Sequence, residues 1–199
     1  MKKLAVLFPG IGYTADKPLL YHSRRLAEAA GWEVRVIRYS GFPKNVRGDR
    51  EKMAECYRIA KAETRKQLGG GDLGDWDHIL FVGKSIGTIV AARLAAKSDF
   101  RDRIRLLLYT PMEDTFRFDF GPALVFTGSD DPWVGRGESR IPELCRARGI
   151  PCRVIPGGNH SLETGDPLGD LEVLTAVMEE TDRFIRAASP EPGRTEQEG

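Results

Sequence analysis

Three kinds of side chain in this sequence carry the chemistry of nucleophilic acyl transfer, and they occur in a usable order. Ser85 stands at the centre of Gly83-Lys84-Ser85-Ile86-Gly87, a G-x-S-x-G pattern. A serine hydroxyl is a poor nucleophile until a neighbouring base takes its proton, and a histidine, with an unperturbed pKa of ~6.5, can do that near neutrality. His160 ends the run Gly157-Gly158-Asn159-His160, and two acids lie between it and the serine, in Gly128-Ser129-Asp130-Asp131-Pro132. An acid bonded to the imidazole would hold its tautomer and stabilise the imidazolium. Serine, then acid, then histidine is the order that accompanies a nucleophile carried on a strand-to-helix turn.

The elements that must position these groups can be read around them. The apolar run Ile79-Leu80-Phe81-Val82 leads into the serine motif, and Thr88-Ile89-Val90-Ala91-Ala92-Arg93-Leu94 leaves it. That is strand, tight turn and helix, with glycines where the turn is too close for side chains and a helix N-terminus that favours negative charge. Ser85 could serve there only as a helix N-cap; the acids and the histidine downstream argue for chemistry instead. Apolar runs predict strands at residues 4–8, 33–39, 78–82, 104–109, 123–127 and 152–155, and helical periodicity predicts helices near 18–30, 49–68, 87–96, 140–148 and 170–188. Strands alternating with helices give an α/β fold: a doubly wound, mostly parallel six-stranded sheet with helices on both faces. Loops at the strand C-termini of such a sheet open on one edge, so the serine, acid and histidine loops should converge. Gly31 is placed to end the first helix, and Pro142 sits early in the fourth, where a missing N–H costs little. Residues 1–188 are expected to form one domain. Residues 189–199, rich in Pro, Glu and Gly without apolar periodicity, are expected to form a disordered tail.

Composition narrows the function classes. The 199 residues carry a formal net charge of +1 with both signs interspersed, which gives no nucleic-acid footprint. The charged stretch 47–67 has Met53, Cys56, Tyr57, Ala60 and Thr64 at helical spacing and reads as an amphipathic helix with a solvated face. Three cysteines, Cys56, Cys145 and Cys152, make no CxxC pair, and free thiols suit a cytoplasmic location. Three histidines without ligand spacing make a metal site improbable, so no metal is expected. The opening Leu4-Ala5-Val6-Leu7-Phe8 is short, is broken by Pro9-Gly10 and reads as a strand rather than a leader; no run is long enough to span a membrane.

With these motifs in hand, residues 1–188 resemble the α/β-hydrolase family. The resemblance rests on Gly83-Lys84-Ser85-Ile86-Gly87, on Gly128-Ser129-Asp130-Asp131-Pro132-Trp133-Val134 and on Gly158-Asn159-His160. Residues 110–121 occupy the position where larger relatives insert a cap, and the chain looks like a minimal, lidless member similar to dienelactone hydrolases or small esterases. The family pattern puts the acid just before the Pro-x-Val step, which favours Asp131 and leaves Asp130 to tighten the loop; Glu113 and Asp114, after the fourth strand, are the alternative acid position. The resemblance implies Ser85 as nucleophile, His160 as base and Asp131 as its partner, which would lift the histidine's pKa somewhat. It implies the backbone N–H groups of Ile11 and Ile86 as the oxyanion donors. Tyr13, Phe42, Met112 and Trp133, all in loops after strands, could line the substrate pocket. Lys84 is expected at the pocket mouth or in solvent. His22 could reach the pocket, and His78 lies at the far end of its strand. The implied activity is hydrolysis of small soluble esters or thioesters, with no cofactor and no nucleic-acid or membrane partner; oligomeric state is not readable.

Two rival readings use the same residues. Gly10-Ile11-Gly12-Tyr13-Thr14-Ala15 matches the dinucleotide fingerprint after a first strand. Against a nucleotide-binding oxidoreductase, Asp16 and Pro18 look like the helix start, and the second strand ends Tyr39-Ser40-Gly41 without an acid for a ribose hydroxyl. The other rival is a non-catalytic binding protein on a hydrolase fold, which would leave three matched groups without a task.

Overall fold

The predicted strands assemble into one six-stranded sheet in which every neighbouring pair is parallel. The computed structural model describes residues 1–69, 73–135 and 139–188. The glycines at 70 and 71 and the tail expected at 189–199 lie outside them. In chain order the elements are β1 (Lys3–Phe8), α1 (Pro18–Ala29), β2 (Glu33–Val36), α2 (Arg50–Leu68), β3 (His78–Lys84), α3 (Ile86–Ala96), β4 (Ile104–Tyr109), β5 (Ala123–Gly128), α4 (Ile141–Arg146), β6 (Cys152–Ile155) and α5 (Pro167–Ala187). The strand order is β2-β1-β3-β4-β5-β6. The chain winds outward in both directions from β1 and β3, and the strand C-termini share one edge.

Alternation along each strand divides the core in two. Leu4, Val6, Phe8 and Phe81 face Ala60 of α2, Val90 of α3 and Ile141 of α4. Ala5, Leu7, Leu80 and Val82 face Leu20 of α1 and Val177 and Ile185 of α5. The middle strands are buried on both faces, which explains why their sequences are continuous apolar runs rather than alternating ones.

Two boundaries differ by three residues from the sequence expectation, each for a local reason. β2 stops at Val36 rather than at 39: Ile37 still donates to Leu7 O at 3.0 Å, but the Arg38 N–H turns to Gln67 Oε1 at 2.9 Å. A side chain of α2 thus takes over the edge of the sheet. α5 begins at Pro167 rather than at 170, because Asp166 accepts from Leu168 N and Pro167 occupies the first turn, where its missing N–H is harmless. Asp49 caps α2 in the same way, accepting from Glu51 N and Lys52 N. All three cysteines are free thiols. Among the described residues no helix is long and apolar enough to cross a membrane.

The turn between β3 and α3 is held by backbone packed on backbone. A Cβ at Gly87 would run into the carbonyl oxygens of Phe8 and Pro9, and one at Gly83 would lie 2.8 Å from Thr88 Cα. β1 and its loop therefore press directly on the start of α3. Alanine is favoured over glycine inside a helix by about 1 kcal/mol, whereas overpacking costs about 1–3 kcal/mol. Here the obstacle is backbone, which cannot swing aside, so the clash should win. Gly87→Ala is expected to lower the urea midpoint of unfolding at unchanged m-value; an unchanged or raised midpoint would contradict this packing.

Candidate active site

Ser85 sits at the junction of β3 and α3 with φ 55° and ψ −123°, a region that non-glycine residues rarely occupy. Although it stands in the N-cap position, its hydroxyl makes no capping bond. The strained backbone is held instead by neighbours. Ser85 N donates to Tyr109 O at 3.1 Å, and Ser85 O accepts from Thr88 N at 2.9 Å and from Thr88 Oγ1 at 2.6 Å. Thr88 Oγ1 also lies 2.7 Å from Thr115 Oγ1, tying the connection after β4 to the same turn. The serine side chain is thereby freed from the helix and presented at the sheet edge.

His160 and Asp131 complete a line of hydrogen bonds. His160 Nε2 is 2.8 Å from Ser85 Oγ, and His160 Nδ1 is 2.7 Å from Asp131 Oδ2. Asp131 has no solvent exposure, and its other oxygen accepts from Trp133 N at 2.9 Å. The loop bearing the histidine organises itself: Asn159 Oδ1 accepts from Ser161 N at 2.6 Å, and Thr110 Oγ1 donates to His160 O at 3.1 Å. It is also clipped to the acid loop, since Asp130 N donates to Gly158 O at 3.0 Å. The Trp133 ring stacks on the imidazole with centroids 5.3 Å apart.

The other acids are engaged elsewhere. Asp130 is exposed and Asp131 alone meets the imidazole. Asp114 pairs with Arg117 at 2.9 Å, and Glu113 faces Arg140 at 3.7 Å. Of the expected backbone donors, Ile86 is the first residue of α3, so its N–H has no intrahelical acceptor. The Ile11 loop is brought alongside, because a Cβ on Gly10 would lie 3.1 Å from Ser85 Cβ. That loop closes on itself through Gly10 N to Tyr13 O at 3.0 Å, and α1 starts only at Pro18. Gly10 therefore abuts Ser85, and neither Gly10 nor Gly12 opens a helix N-terminus, which is where a dinucleotide phosphate would need them. Among the described residues no group of three His, Cys, Asp or Glu side chains could hold a metal ion.

The expected pocket residues divide. Met112 and Trp133 line a groove that reaches the site through the Trp133 ring stacked on His160. Tyr13 does not reach it: the ring is buried on the α1/α5 side, and its hydroxyl accepts from Leu19 N at 3.1 Å, which supports the first turn of α1. Phe42 packs against Tyr39, with ring centroids 5.5 Å apart, and joins the apolar cluster of Ile86, Ile89, Met53 and Met112 without lining the groove itself. His22 is exposed on α1 against Tyr21, away from Ser85, and His78 lies at the opposite end of β3.

Lys84 corrects the sequence reading most sharply. It is neither at a pocket mouth nor in solvent but 1% exposed, with its ammonium 4.9 Å from the centroid of the Tyr13 ring. Leu80, Val82 and Lys84 alternate onto the sheet face covered by α1 and α5, and that period of two was the available signal. Burial pushes the Lys84 pKa down to about 7, with the Asp131 and Glu163 carboxylates pulling it back. His160 is shifted as well. Burial lowers its pKa, the Lys84 charge lowers it further, and Asp131 opposes both. The net direction is down, opposite to the rise expected from the carboxylate alone, because a closed environment penalises the imidazolium more than one partner rewards it. The ring is therefore neutral, and able to accept a proton, to lower pH than an ordinary histidine. In an NMR titration the His160 ring should have its midpoint below 6.5. Lys84→Met, which removes a neighbouring positive charge, should raise that midpoint. A wild-type midpoint above 6.5, or no response to Lys84→Met, would contradict this electrostatic account.

No protein-family model matches the chain, and no curated protein sequence matches it. Solved structures do. Est1E from Butyrivibrio proteoclasticus superimposes with TM-score 0.63 at 14% identity, over 94% of this chain and 88% of its own. An α/β serine hydrolase homologue from Coxiella burnetii matches with TM-score 0.60 at 16% identity, over 92% of this chain and 84% of its own. An α/β serine hydrolase without a lid from Xanthomonas campestris matches with TM-score 0.56 at 16% identity, over 91% and 81%. The chain has the α/β-hydrolase fold, with no cap domain: the 110–121 connection carries only the short turn Glu113–Arg117.

Proposed function

We propose that this protein is a serine hydrolase that cleaves small, soluble carboxylic esters or thioesters through an acyl-enzyme on Ser85. The observation that carries the reading is the continuous line from buried Asp131 through His160 to Ser85, with bonds of 2.7 and 2.8 Å. Ser85 Oγ attacks the substrate carbonyl carbon while His160 Nε2 takes its proton. Asp131 keeps the Nδ1 proton in place and stabilises the imidazolium. The carbonyl oxygen becomes an oxyanion facing the Ile11 and Ile86 N–H groups, at the N-terminus of α3. As the tetrahedral intermediate collapses, His160 returns its proton to the departing alcohol or thiol. Water then attacks the acyl-serine with His160 as base, releasing the acid and restoring the hydroxyl.

The depressed pKa of His160 fits this role, since the base form is what the first step needs. The missing cap supports soluble substrates over long lipids: each methylene left uncovered forgoes about 0.8 kcal/mol of burial. The nucleotide-binding alternative loses its main support, because Gly10 packs against the serine turn.

Hydrolysis of p-nitrophenyl acetate tests the reading. Ser85→Ala should lose on the order of 10⁶ in turnover while remaining folded, and Asp131→Asn should lose about 10⁴, far more than Asp130→Asn. A folded Ser85→Ala variant with wild-type activity, or an Asp130→Asn loss exceeding that of Asp131→Asn, would overturn the assignment.

A further inference from the structure

Trp133, the ring stacked on His160, walls one part of an open groove of about 810 Å³ that the acyl-transfer steps do not use. Its floor is apolar, made by Met53 and Tyr57 of α2, Ile89 of α3, Met112, Phe118 and Trp133. The groove adjoins the reactive groups at one end. Trp133 is the ring stacked on His160, and Ile86, next to the nucleophile, packs in the same apolar cluster as Ile89, Met53 and Met112.

Its polar lining is strongly biased. Arg47, Arg50, Arg93 and Arg117 line it, against two acids, Asp49 and Asp114. Both acids are committed, Asp49 to the N-cap of α2 and to Lys52 at 3.4 Å, and Asp114 to Arg117 at 2.9 Å. Among the described residues Arg47, Arg50 and Arg93 are left without a carboxylate partner. Arg93 is half-buried, with its guanidinium 5.9 Å from the centroid of the Phe118 ring. Beside it the Tyr57 hydroxyl is buried and its O–H donates to no acceptor among the described residues, while the Arg93 guanidinium lies within interaction range of its oxygen and the Asp114 carboxylate also acts on it. A buried donor without a partner costs free energy, and a guanidinium fork beside it is matched by the two oxygens of a carboxylate.

The helix sets the spacing. Ile86, Ile89 and Arg93 follow at i, i+3 and i+7 along one face of α3. Seven residues of helix rise about 10 Å, so the Arg93 backbone lies roughly that far along α3 from Ile86, the residue after the nucleophile.

We propose that this groove is a subsite for an anionic substrate: an ester with an apolar body that ends in a carboxylate about 10 Å from the reacting carbonyl. Arg93 and the Tyr57 hydroxyl hold the carboxylate, Arg47 and Arg50 supply the surrounding positive field, and the apolar floor covers the chain between. The proposal deepens the serine-hydrolase reading and rests on it for the position of the carbonyl. It adds a terminal charge to the preference for soluble substrates.

The test compares p-nitrophenyl hydrogen suberate with p-nitrophenyl octanoate, which match in chain length and differ in the terminal carboxylate. A second pair, 8-acetoxyoctanoate and its methyl ester, puts the charge on the alcohol half. In at least one pair the charged ester should have kcat/KM on the order of tenfold higher, mainly through KM. That ratio should fall towards one in Arg93→Met, fall partly in the exposed-rim variant Arg50→Gln, and shrink in the wild type as salt is raised. Calorimetry of Ser85→Ala with suberate reads the subsite without catalysis and should show salt-sensitive binding that Arg93→Met in the same background removes. If p-nitrophenyl acetate is hydrolysed but neither pair favours the charged ester, the subsite proposal is wrong and the hydrolase reading stands. If suberate binds as described but no ester is hydrolysed, the hydrolase reading fails and the anion site remains.

Discussion

A carboxylate without solvent access governs this site. Burying a charge is costly unless each of its oxygens has a partner, and Asp131 has two strong ones: the Trp133 N–H at 2.9 Å and His160 Nδ1 at 2.7 Å. The first bond folds the acid loop back on itself and carries the Trp133 ring over the imidazole. The second fixes the tautomer that leaves Nε2 facing Ser85. Each loop is then held by another: the acid loop by Gly158 O, the histidine loop by Thr110, and the serine turn by Thr88 and Tyr109. A single line of bonds thus draws together the ends of β3, β5 and β6.

The surroundings tune that line by charge. Lys84 lies on the inner face of β3 beneath the site, where burial disfavours its own ammonium and its charge disfavours the imidazolium of His160. Two groups that would both be cationic in water at mildly acid pH are thereby pushed towards their neutral forms. On the other face of the sheet, next to α2 and α3, uncommitted arginines do the opposite and leave positive charge where a ligand can meet it. An imidazole kept neutral and a groove kept cationic therefore lie within the same few elements.

The convergence of the three candidate loops was readable in the sequence because each follows directly on an apolar strand, and parallel strands deliver their trailing loops to one edge. Placing Ser85 and His160 needed only local motifs and strand order, whereas choosing Asp131 over Asp130 needed the family resemblance. Tyr13 and Lys84 were misplaced because their positions depend on α1 and α5 closing over that face. Tyr13 is claimed by Leu19 N, and Lys84 follows Leu80 and Val82 inward by strand alternation. β2 was drawn too long because its competitor, Gln67, sits on a helix that the strand's own residues cannot reveal. Of the groove only Met112 and Trp133 were legible, since its other walls come from α2, α3 and the 110–121 connection, and no short stretch of sequence brings Arg47, Arg93 and Trp133 together.

The central claim is that Ser85 becomes acylated because His160 removes its proton. Rapid acid quench of the protein during reaction with p-nitrophenyl acetate, followed by mass analysis of the peptide containing Ser85, measures that event directly. The account predicts an acetyl adduct on Ser85 that forms in the first turnover and then decays by hydrolysis, and that is lost in His160→Ala. Turnover without any adduct on Ser85, or an adduct that forms equally fast in His160→Ala, would contradict it.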